Sequence, residues 1–264
     1  MPSPRVSAAE LQREEERQEA LFNSSRRGQQ QQQQQQQQKG AAAAAFSPPP
    51  MPPLRLPTNC NKRADSIEGC ISKLLQCEAL AAAEVQQLCR KLSEVLVREP
   101  NCLAVETPVT VAGDIHGQFY DLLELFRVVF VLRGNHESRS ITEVYGFYDE
   151  CMRKFAAAAA ACVYKSFMEV FDLLPLAAAV DNEYFCAHGG LSREITSIDQ
   201  LQTINRQQEP PSEGGMSELL CEGFAPSSRG AGLLWGKEVT ERFLHLNNLK
   251  CVCRAHQLVA DGYQ

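Results

Sequence analysis

The sequence predicts an α+β or α/β fold, in which helices pack against a layered sheet. Three observations lead to this prediction. Short apolar, β-branched runs alternate with longer segments of helical periodicity. Glycine or polar turn residues end the short runs. Both kinds of segment occur within one region, which begins near residue 58 and has a mixed, globular composition. Domains built from layers of helix and sheet show this pattern.

The chain divides by composition into a low-complexity arm at residues 1–57 and a globular domain at residues 58–264. The arm contains an unbroken glutamine tract at residues 29–38, an alanine run at residues 41–45 and a proline-rich stretch at residues 48–57. Such a segment buries too little apolar surface to offset the entropy of ordering it, so we expect disorder there. The arm is either a scaffold-like extension or a segment without a specific role.

Helices are predicted wherever apolar residues recur every three or four positions. Four segments of the domain show this spacing: residues 67–75, 85–96, 119–127 and 162–174. The alanine run at residues 156–161 is either a helical spacer or an expanded loop, since alanine has the highest helix propensity.

Strands are predicted at five short apolar runs: residues 108–112, 128–132, 176–180, 183–187 and 249–253. The third and fourth runs flank Asp181 and Asn182, which are typical of a hairpin turn. Helices and strands together predict the layered fold.

Composition excludes several classes of protein. The chain carries 26 basic and 32 acidic residues, so no basic surface for nucleic acid or for an anionic membrane is expected. No apolar run is long enough to span a membrane, and the N-terminal residues lack the apolar core of a secretory signal. The 11 cysteines include no Cys-x-x-Cys pair, which argues against a zinc ribbon. Their odd number, without a secretory signal, predicts free thiols in a reducing cytoplasm or nucleus.

Four of the five histidines directly follow strand-like runs. His116, His136, His188 and His256 each lie beside glycines or polar turn residues. The fifth, His245, falls within a helical pattern and is expected to be an ordinary surface or packing residue. Loops at the ends of buried strands are where α/β proteins place their sites, so the four histidines are candidate site residues.

These histidines are accompanied by oxygen donors. Asp114 and His116 can direct a carboxylate and an imidazole at one point, and Asn135 offers an amide oxygen beside the imidazoles of His188 and His256. Nitrogen and oxygen donors without thiolate suit Mn, Fe, Zn or Ni. The donors outnumber the needs of one ion, which favours a binuclear site. Two metal ions suit the hydrolysis of phosphate esters.

Three short motifs carry a resemblance to a known family: Gly-Asp-Ile-His-Gly at residues 113–117, Gly-Asn-His-Glu at residues 134–137 and His-Gly-Gly at residues 188–190. Together with the longer stretches at residues 131–154 and 228–263, they resemble the phosphoprotein phosphatases, the binuclear-metal Ser/Thr protein phosphatases. The segment at residues 145–151 and the pair Gln208-Glu209 resemble the type-2A branch, which includes the type-4 and type-6 enzymes. The resemblance covers most of residues 62–264.

The resemblance implies an α+β, metallophosphoesterase-like β-sandwich of mixed sheets flanked by helices. It implies two divalent metal ions, manganese first and iron or zinc as alternatives. Asp114 and His116 are then ligands of the first ion. The second ion is bound by three further residues: Asn135, His188 and His256.

The resemblance also implies roles outside the metal ligands. His136 corresponds to the general acid, and Arg229 corresponds to a phosphate-binding arginine whose planar fork suits phosphate oxygens. The implied activity is hydrolysis of phosphoserine and phosphothreonine by metal-activated water. The implied partners are phosphoprotein substrates and type-2A-like regulatory or scaffold subunits, in the cytoplasm or the nucleus.

The sequence departs from the family pattern in three places. The family motif Gly-Asp-x-Val-Asp-Arg-Gly, which supplies a metal-bridging aspartate, is absent, and only 21 positions separate Asp114 from Asn135. The usual Trp-Ser-Asp-Pro near Leu220 is replaced. The chain ends at Gln264, before the last strands of the family. We therefore expect an incomplete fold that binds its metals weakly and has little activity.

Two other functions stay open at this point. The first is another metallophosphoesterase activity, that of a nucleotidase or a dinucleoside polyphosphatase, although residues 138–151 argue against it. The second is a catalytically impaired module that engages phosphatase regulatory subunits, which the missing motif favours.

Overall fold

A computed structural model of the chain describes residues 66–76, 78–118, 122, 130–221, 236–257 and 259. The low-complexity arm lies outside these residues, as does the predicted helix at residues 119–127 apart from Leu122. The described residues form eight helices and four strands, so the predicted α+β class is confirmed. No helix among them is long and apolar enough to cross a membrane.

The helices are α1 (Ile67–Leu75), α2 (Ala82–Leu96), α3 (Arg139–Val144), α4 (Phe147–Lys154), α5 (Ala157–Leu173), α6 (Ile198–Gln202), α7 (Gly215–Leu220) and α8 (Lys237–Asn247). The strands are β1 (Cys102–Val105), β2 (Ala177–Val180), β3 (Tyr184–Ala187) and β4 (Cys251–Arg254).

The four strands form one mixed sheet in the order β1-β2-β3-β4. β1 is parallel to β2, β2 is antiparallel to β3, and β3 is parallel to β4. Asp181, Asn182 and Glu183 connect β2 to β3, and the first two of them have left-handed φ angles of 50° and 54°. Aspartate and asparagine tolerate this conformation, and two such residues in succession match the twist of a hairpin. The predicted hairpin is therefore confirmed.

Both faces of the sheet are apolar. One face, which includes Phe185, packs with Leu191, Leu219 and Leu220 into the main core, beneath the neighbouring Phe243 of α8. The other face carries a smaller cluster with these members: Leu103, Val105, Ala178, Val180 and Cys186. Side chains alternate between the two faces along each strand, which places consecutive residues in different clusters.

A third cluster joins α2 to α5 through Cys89, Leu96, Val170 and Leu174. The predicted helices at residues 67–75, 85–96 and 162–174 are thus present as α1, α2 and α5. The alanine run belongs to α5 from Ala157 onward, and Ala160 is fully buried. The structure therefore favours the helical spacer over the expanded loop.

Two predicted strands are wrong in the described residues. Residues 108–112 and 130–132 form no strand, and Val111, Phe130 and Val131 are 55%, 47% and 53% exposed. β-branched runs form strands only where a partner strand packs against them, because strand propensity mainly reports that packing. The sequence also failed to predict β1, a four-residue strand that is specified by its pairing with β2.

Candidate metal centre

His188 and His256 follow two neighbouring parallel strands. β3 ends at Ala187 and β4 ends at Arg254, and these two residues are register partners. Because parallel strands end at the same edge of a sheet, the two histidines leave that edge together. His188 Nε2 lies 3.1 Å from His256 Nδ1, with the rings arranged edge to face.

Asn135 reaches the same place from the turn at residues 133–137. The backbone N–H of Arg133 donates to the carbonyl of Pro175, at 2.8 Å, which ties the turn to the chain just before β2. Asn135 Oδ1 lies 2.9 Å from His188 Nε2. One ring nitrogen of His188 therefore faces both an amide oxygen and a second imidazole.

Asp114 lies on the other side of the His188 ring. Its Oδ1 is 3.3 Å from His188 Nδ1 and accepts a 3.3 Å hydrogen bond from the backbone N–H of His256. Its Oδ2 is 3.2 Å from His116 Nε2. The structure thus brings together all five residues predicted as metal ligands. Their ligand roles stay predictions.

Two of these residues have unusual backbone conformations. His116 has a φ angle of 48° and His256 has a φ angle of 69°. Only a few per cent of residues other than glycine adopt the left-handed region, and histidine, asparagine and aspartate do so more often than the rest. The two imidazoles are therefore held by loops whose shape is set by the surrounding contacts.

Glycines allow the loops to approach the histidines. A Cβ atom on Gly134 would lie 3.1 Å from the His188 ring and 2.8 Å from Glu137 Oε2. A Cβ atom on Gly189 would lie 2.4 Å from the backbone oxygen of Cys221. Gly189 instead donates its N–H to the carbonyl of Leu219, at 2.8 Å. Gly189 thus requires the absence of a side chain, whereas a side chain at Gly134 would displace Glu137 or the His188 ring.

The cluster affects the titration of its members. Burial lowers the pKa of His188 to about 4, although the Asp114 carboxylate opposes this shift. His188 is therefore neutral at neutral pH and keeps a lone pair for a ligand. Burial raises the pKa of Glu137, and the hydrogen bond that it accepts from the Gly134 N–H opposes that rise.

His136, the predicted general acid, borders the cluster. Its ring packs edge-on against Tyr145, with the centroids 4.8 Å apart. Burial and the nearby His116 lower the pKa of His136, whereas Asp114 raises it. These influences show that His136 is electrostatically coupled to the predicted ligands. Arg229, the predicted phosphate ligand, lies outside the described residues.

A buried arginine supports the turn that carries Asn135 and His136. Arg133 is fully buried, and its Nε donates to the carbonyl of Glu137, at 2.9 Å. Its Nη1 donates to the carbonyls of Arg206 and Gln208, and its Nη2 lies 3.0 Å from Asp172 Oδ1. Sequence reasoning missed this role because an arginine beside a loop is usually solvated.

The same support continues into α3. Arg139 pairs with Asp172 at 2.6 Å and with Glu209 at 3.0 Å. Glu209 also accepts hydrogen bonds from the backbone N–H groups of Arg139 and Ser140, at the start of α3. Sequence analysis had singled out Glu209, in the pair Gln208-Glu209, but not Asp172.

The donor geometry can be compared with the needs of a metal ion. Bonds of about 2.1 Å at right angles place neighbouring donor atoms about 3 Å apart. The distances of 2.9 Å and 3.1 Å from His188 Nε2 are of this size, so the spacing lets His188 share a divalent ion with Asn135 or with His256. Asp114 and His116 alone remain for a second ion. Considering only His, Cys, Asp and Glu side chains, the described part of the chain holds no metal-binding group of three or more.

Comparison with known proteins decides the family. The profile of the family described as calcineurin-like phosphoesterase matches residues 127–260, half of the chain. The chain belongs to the calcineurin-like phosphoesterase family. The matched segment of this phosphoesterase includes Asn135, His136, His188 and His256, whereas Asp114 precedes it.

A solved structure supports this assignment. The phosphoesterase is similar to a protein serine/threonine phosphatase from Saccharomyces cerevisiae that is itself described as similar to human phosphatase PP5. The TM-score is 0.64 at 28% sequence identity, over 74% of this chain and 78% of that one. The fold is therefore the metallophosphoesterase fold, a mixed sheet flanked by helices, as predicted. The similarity supports a phosphatase of the phosphoprotein phosphatase family, a family that generally uses two divalent metal ions.

Proposed function

We propose that this phosphoesterase is a protein serine/threonine phosphatase domain, which hydrolyses phosphoserine and phosphothreonine monoesters. The observation that carries the proposal is the convergence of Asn135, His188 and His256 around one point, with Asp114 alongside. The similarity to a solved serine/threonine phosphatase supports the choice of substrate class.

The residues of the chain divide the work of the reaction. Asn135, His188 and His256 would hold one divalent ion, and Asp114 and His116 would contribute to a second. Manganese is the first choice, and iron or zinc also suits these donors. When bound, the ions supply an activated water and neutralise the charge of the phosphate. His136 donates a proton to the leaving serine or threonine oxygen, and Arg229 binds the phosphate oxygens.

The branch and the partners extend this proposal. The sequence at residues 145–151 and the pair Gln208-Glu209 support a place in the type-2A branch, beside the type-4 and type-6 enzymes. Glu209 gives the pair a structural role, because it caps α3 and pairs with Arg139. The expected partners are phosphoprotein substrates and type-2A-like regulatory or scaffold subunits, in the cytoplasm or the nucleus.

Charge suggests that the chain binds its metals weakly. Two divalent ions carry a charge of +4, whereas the predicted ligands include one carboxylate, Asp114, and four neutral side chains. With one hydroxide counted beside Asp114, a charge of about +2 would remain uncompensated. The family motif that would supply a bridging aspartate does not occur in the sequence. We therefore propose that turnover by this chain is low.

The uncompensated positive charge at the site favours a second candidate function. This candidate is a catalytically impaired module of the same fold that engages regulatory subunits. The two candidates differ in metal content and in turnover. A silent module would bind type-2A-like subunits without releasing phosphate, whereas a phosphatase would release phosphate in proportion to its bound manganese.

The experiment measures both quantities on the full chain. The chain is equilibrated with manganese, bound metal is quantified, and phosphate release from a phosphothreonine peptide is followed. Asn135→Ala should lower manganese affinity by more than the roughly 10–100-fold that loss of a merely supporting residue costs. The control is His245→Ala, a substitution at an exposed histidine of α8. Equal manganese affinity in both variants would contradict the proposed site. Two tightly bound ions with rapid turnover would show that the weak-metal proposal is wrong.

A further inference from the structure

Three thiols lie together on one face of the sheet, at its β3–β4 side. Cys186 in β3 and Cys253 in β4 are direct partners in the parallel register. Cys253 packs against the small cluster that contains Cys186, so both side chains point to the same face. Cys251 lies two residues before Cys253 in the same strand and therefore shares that face.

The three thiols differ in their access to solvent. Cys251 is exposed, Cys253 is half-buried and Cys186 is buried. Cys186 is only 6% exposed, so solvent oxidants do not reach its thiol directly. An oxidant in solution first meets Cys251.

The backbone spacing suits a bond between Cys186 and Cys253. Neighbouring strands lie about 4.7–4.9 Å apart. A disulfide requires Cα atoms roughly 4.4–6.8 Å apart, so direct register partners on one face meet this requirement. Residues two apart in one strand are about 6.6 Å apart, near the upper limit, which makes a Cys251–Cys253 bond strained and labile.

We propose that Cys251, Cys253 and Cys186 form an oxidation relay, in which hydrogen peroxide reacts at Cys251 and the product is a disulfide between Cys253 and Cys186. The sulfur of Cys251 attacks the peroxide, which gives a sulfenic acid and one water. The Cys253 thiol then attacks the Cys251 sulfur, so that an S–S bond forms, the S–O bond breaks and a second water leaves.

The third step exchanges the Cys251–Cys253 disulfide for a disulfide between Cys253 and the buried Cys186. The Cys186 thiol attacks the Cys253 sulfur, the strained bond breaks, and Cys251 leaves as a thiol that carries the proton from Cys186. In sum, one hydrogen peroxide and two thiols give one disulfide and two waters. The bond would join β3 to β4 immediately before His188 and His256, so it places an oxidisable link directly behind the predicted metal centre.

The test uses hydrogen peroxide and a tryptic digest of the full chain under non-reducing conditions. Trypsin cleaves after Lys165, Arg193, Lys250 and Arg254, so Cys186 falls in residues 166–193 and the other two thiols fall in residues 251–254. Mass spectrometry should detect these two peptides joined. Exposed Cys162 of α5, in a separate peptide, is the internal control: it should oxidise without entering this bond.

Two variants separate the steps. Cys251→Ser removes the exposed thiol and should slow formation of the joined peptides by about tenfold or more, because Cys253 and Cys186 are shielded. Cys253→Ala should abolish the joined peptides. Oxidation should also slow hydrogen exchange at the amides of β4, and far-UV circular dichroism checks that each variant is folded. Oxidation of Cys162 without joined peptides, or equal rates in wild type and Cys251→Ser, would overturn the relay.

Discussion

Arg133 Nη2 lies 3.0 Å from Asp172 Oδ1, and the arginine side chain of this pair is completely buried. The pair connects the turn that carries Asn135 and His136 to the last turn of α5. Burial lowers the pKa of Arg133, and Asp172 opposes that shift. The carboxylate is therefore the main partner that offsets the cost of burying the guanidinium.

Removing this carboxylate charge should destabilise the protein. Asp172→Asn removes the carboxylate that pairs with both the buried Arg133 and Arg139, and we expect the free energy of unfolding to fall by about 3 kcal/mol. Thermal or urea denaturation measures the change. Glu169→Gln is the matched control, because it removes a carboxylate from the exposed pair Lys165–Glu169 of the same helix. That control should cost roughly 0–1 kcal/mol, and equal losses would show that the Arg133 pair contributes nothing special.

A methyl group on Gly134 should disturb the candidate metal centre. The added Cβ of Gly134→Ala would lie 3.1 Å from the His188 ring, so the turn or the ring must shift. We expect a loss of about 1–3 kcal/mol in unfolding free energy and weaker manganese binding, measured by denaturation and by equilibrium dialysis. Gly236→Ala is the control, because no heavy atom lies within 4 Å of its added Cβ. A Gly134→Ala protein with unchanged stability and manganese affinity would argue against the tight packing.

His136→Asn should affect substrates according to their leaving groups. A general acid contributes about 10²–10⁴-fold, and it matters most when the leaving oxygen is a poor one. In the manganese-loaded chain, kcat for a phosphoserine peptide should therefore fall much more than kcat for an aryl phosphate with a good leaving group. Equal losses on the two substrates would assign His136 a different role. His245→Asn, at an exposed helical position, should leave both rates unchanged.

Arg229→Lys should weaken the binding of substrate phosphate. The substitution keeps the positive charge but loses the planar, bidentate fork, so KM for a phosphopeptide should rise. Steady-state kinetics of the manganese-loaded chain, with inorganic phosphate as a competitive inhibitor, measures the effect. If KM, kcat and the inhibition constant all match those of the unsubstituted chain, Arg229 does not contact the phosphate.

The sequence by itself determined the amphipathic helices and the β2–β3 hairpin. Periodic apolar residues specify the faces of α1, α2 and α5, and Asp181 and Asn182 specify the turn between β2 and β3. These features depend on the order of residues within one short segment, so they can be predicted without knowledge of the tertiary structure. The candidate ligands could also be predicted, because each lies in a short motif that contains glycine or a polar turn residue.

Other features depended on the tertiary structure. In sequence, the segment that forms β1 is no more typical of a strand than the apolar run at residues 108–112. β1 nevertheless pairs with β2, whereas the run forms no strand within the described residues. A segment forms a strand only where another strand pairs with it, and the sequence of the segment does not specify that partner. The burial of Arg133 also depends on the tertiary structure, since its partners lie in α5 and in residues 206–208, far from it in sequence.

The grouping of the site was likewise decided in three dimensions. The sequence predicted that His188 and His256 act together. Their 3.1 Å contact exists because β3 and β4 are adjacent and parallel. The same adjacency places Cys186 opposite Cys253. Residue types and motifs therefore determined which chemistry the chain could perform. The pairing of distant strands decided which side chains meet, because register is a property of two segments and not of either one alone.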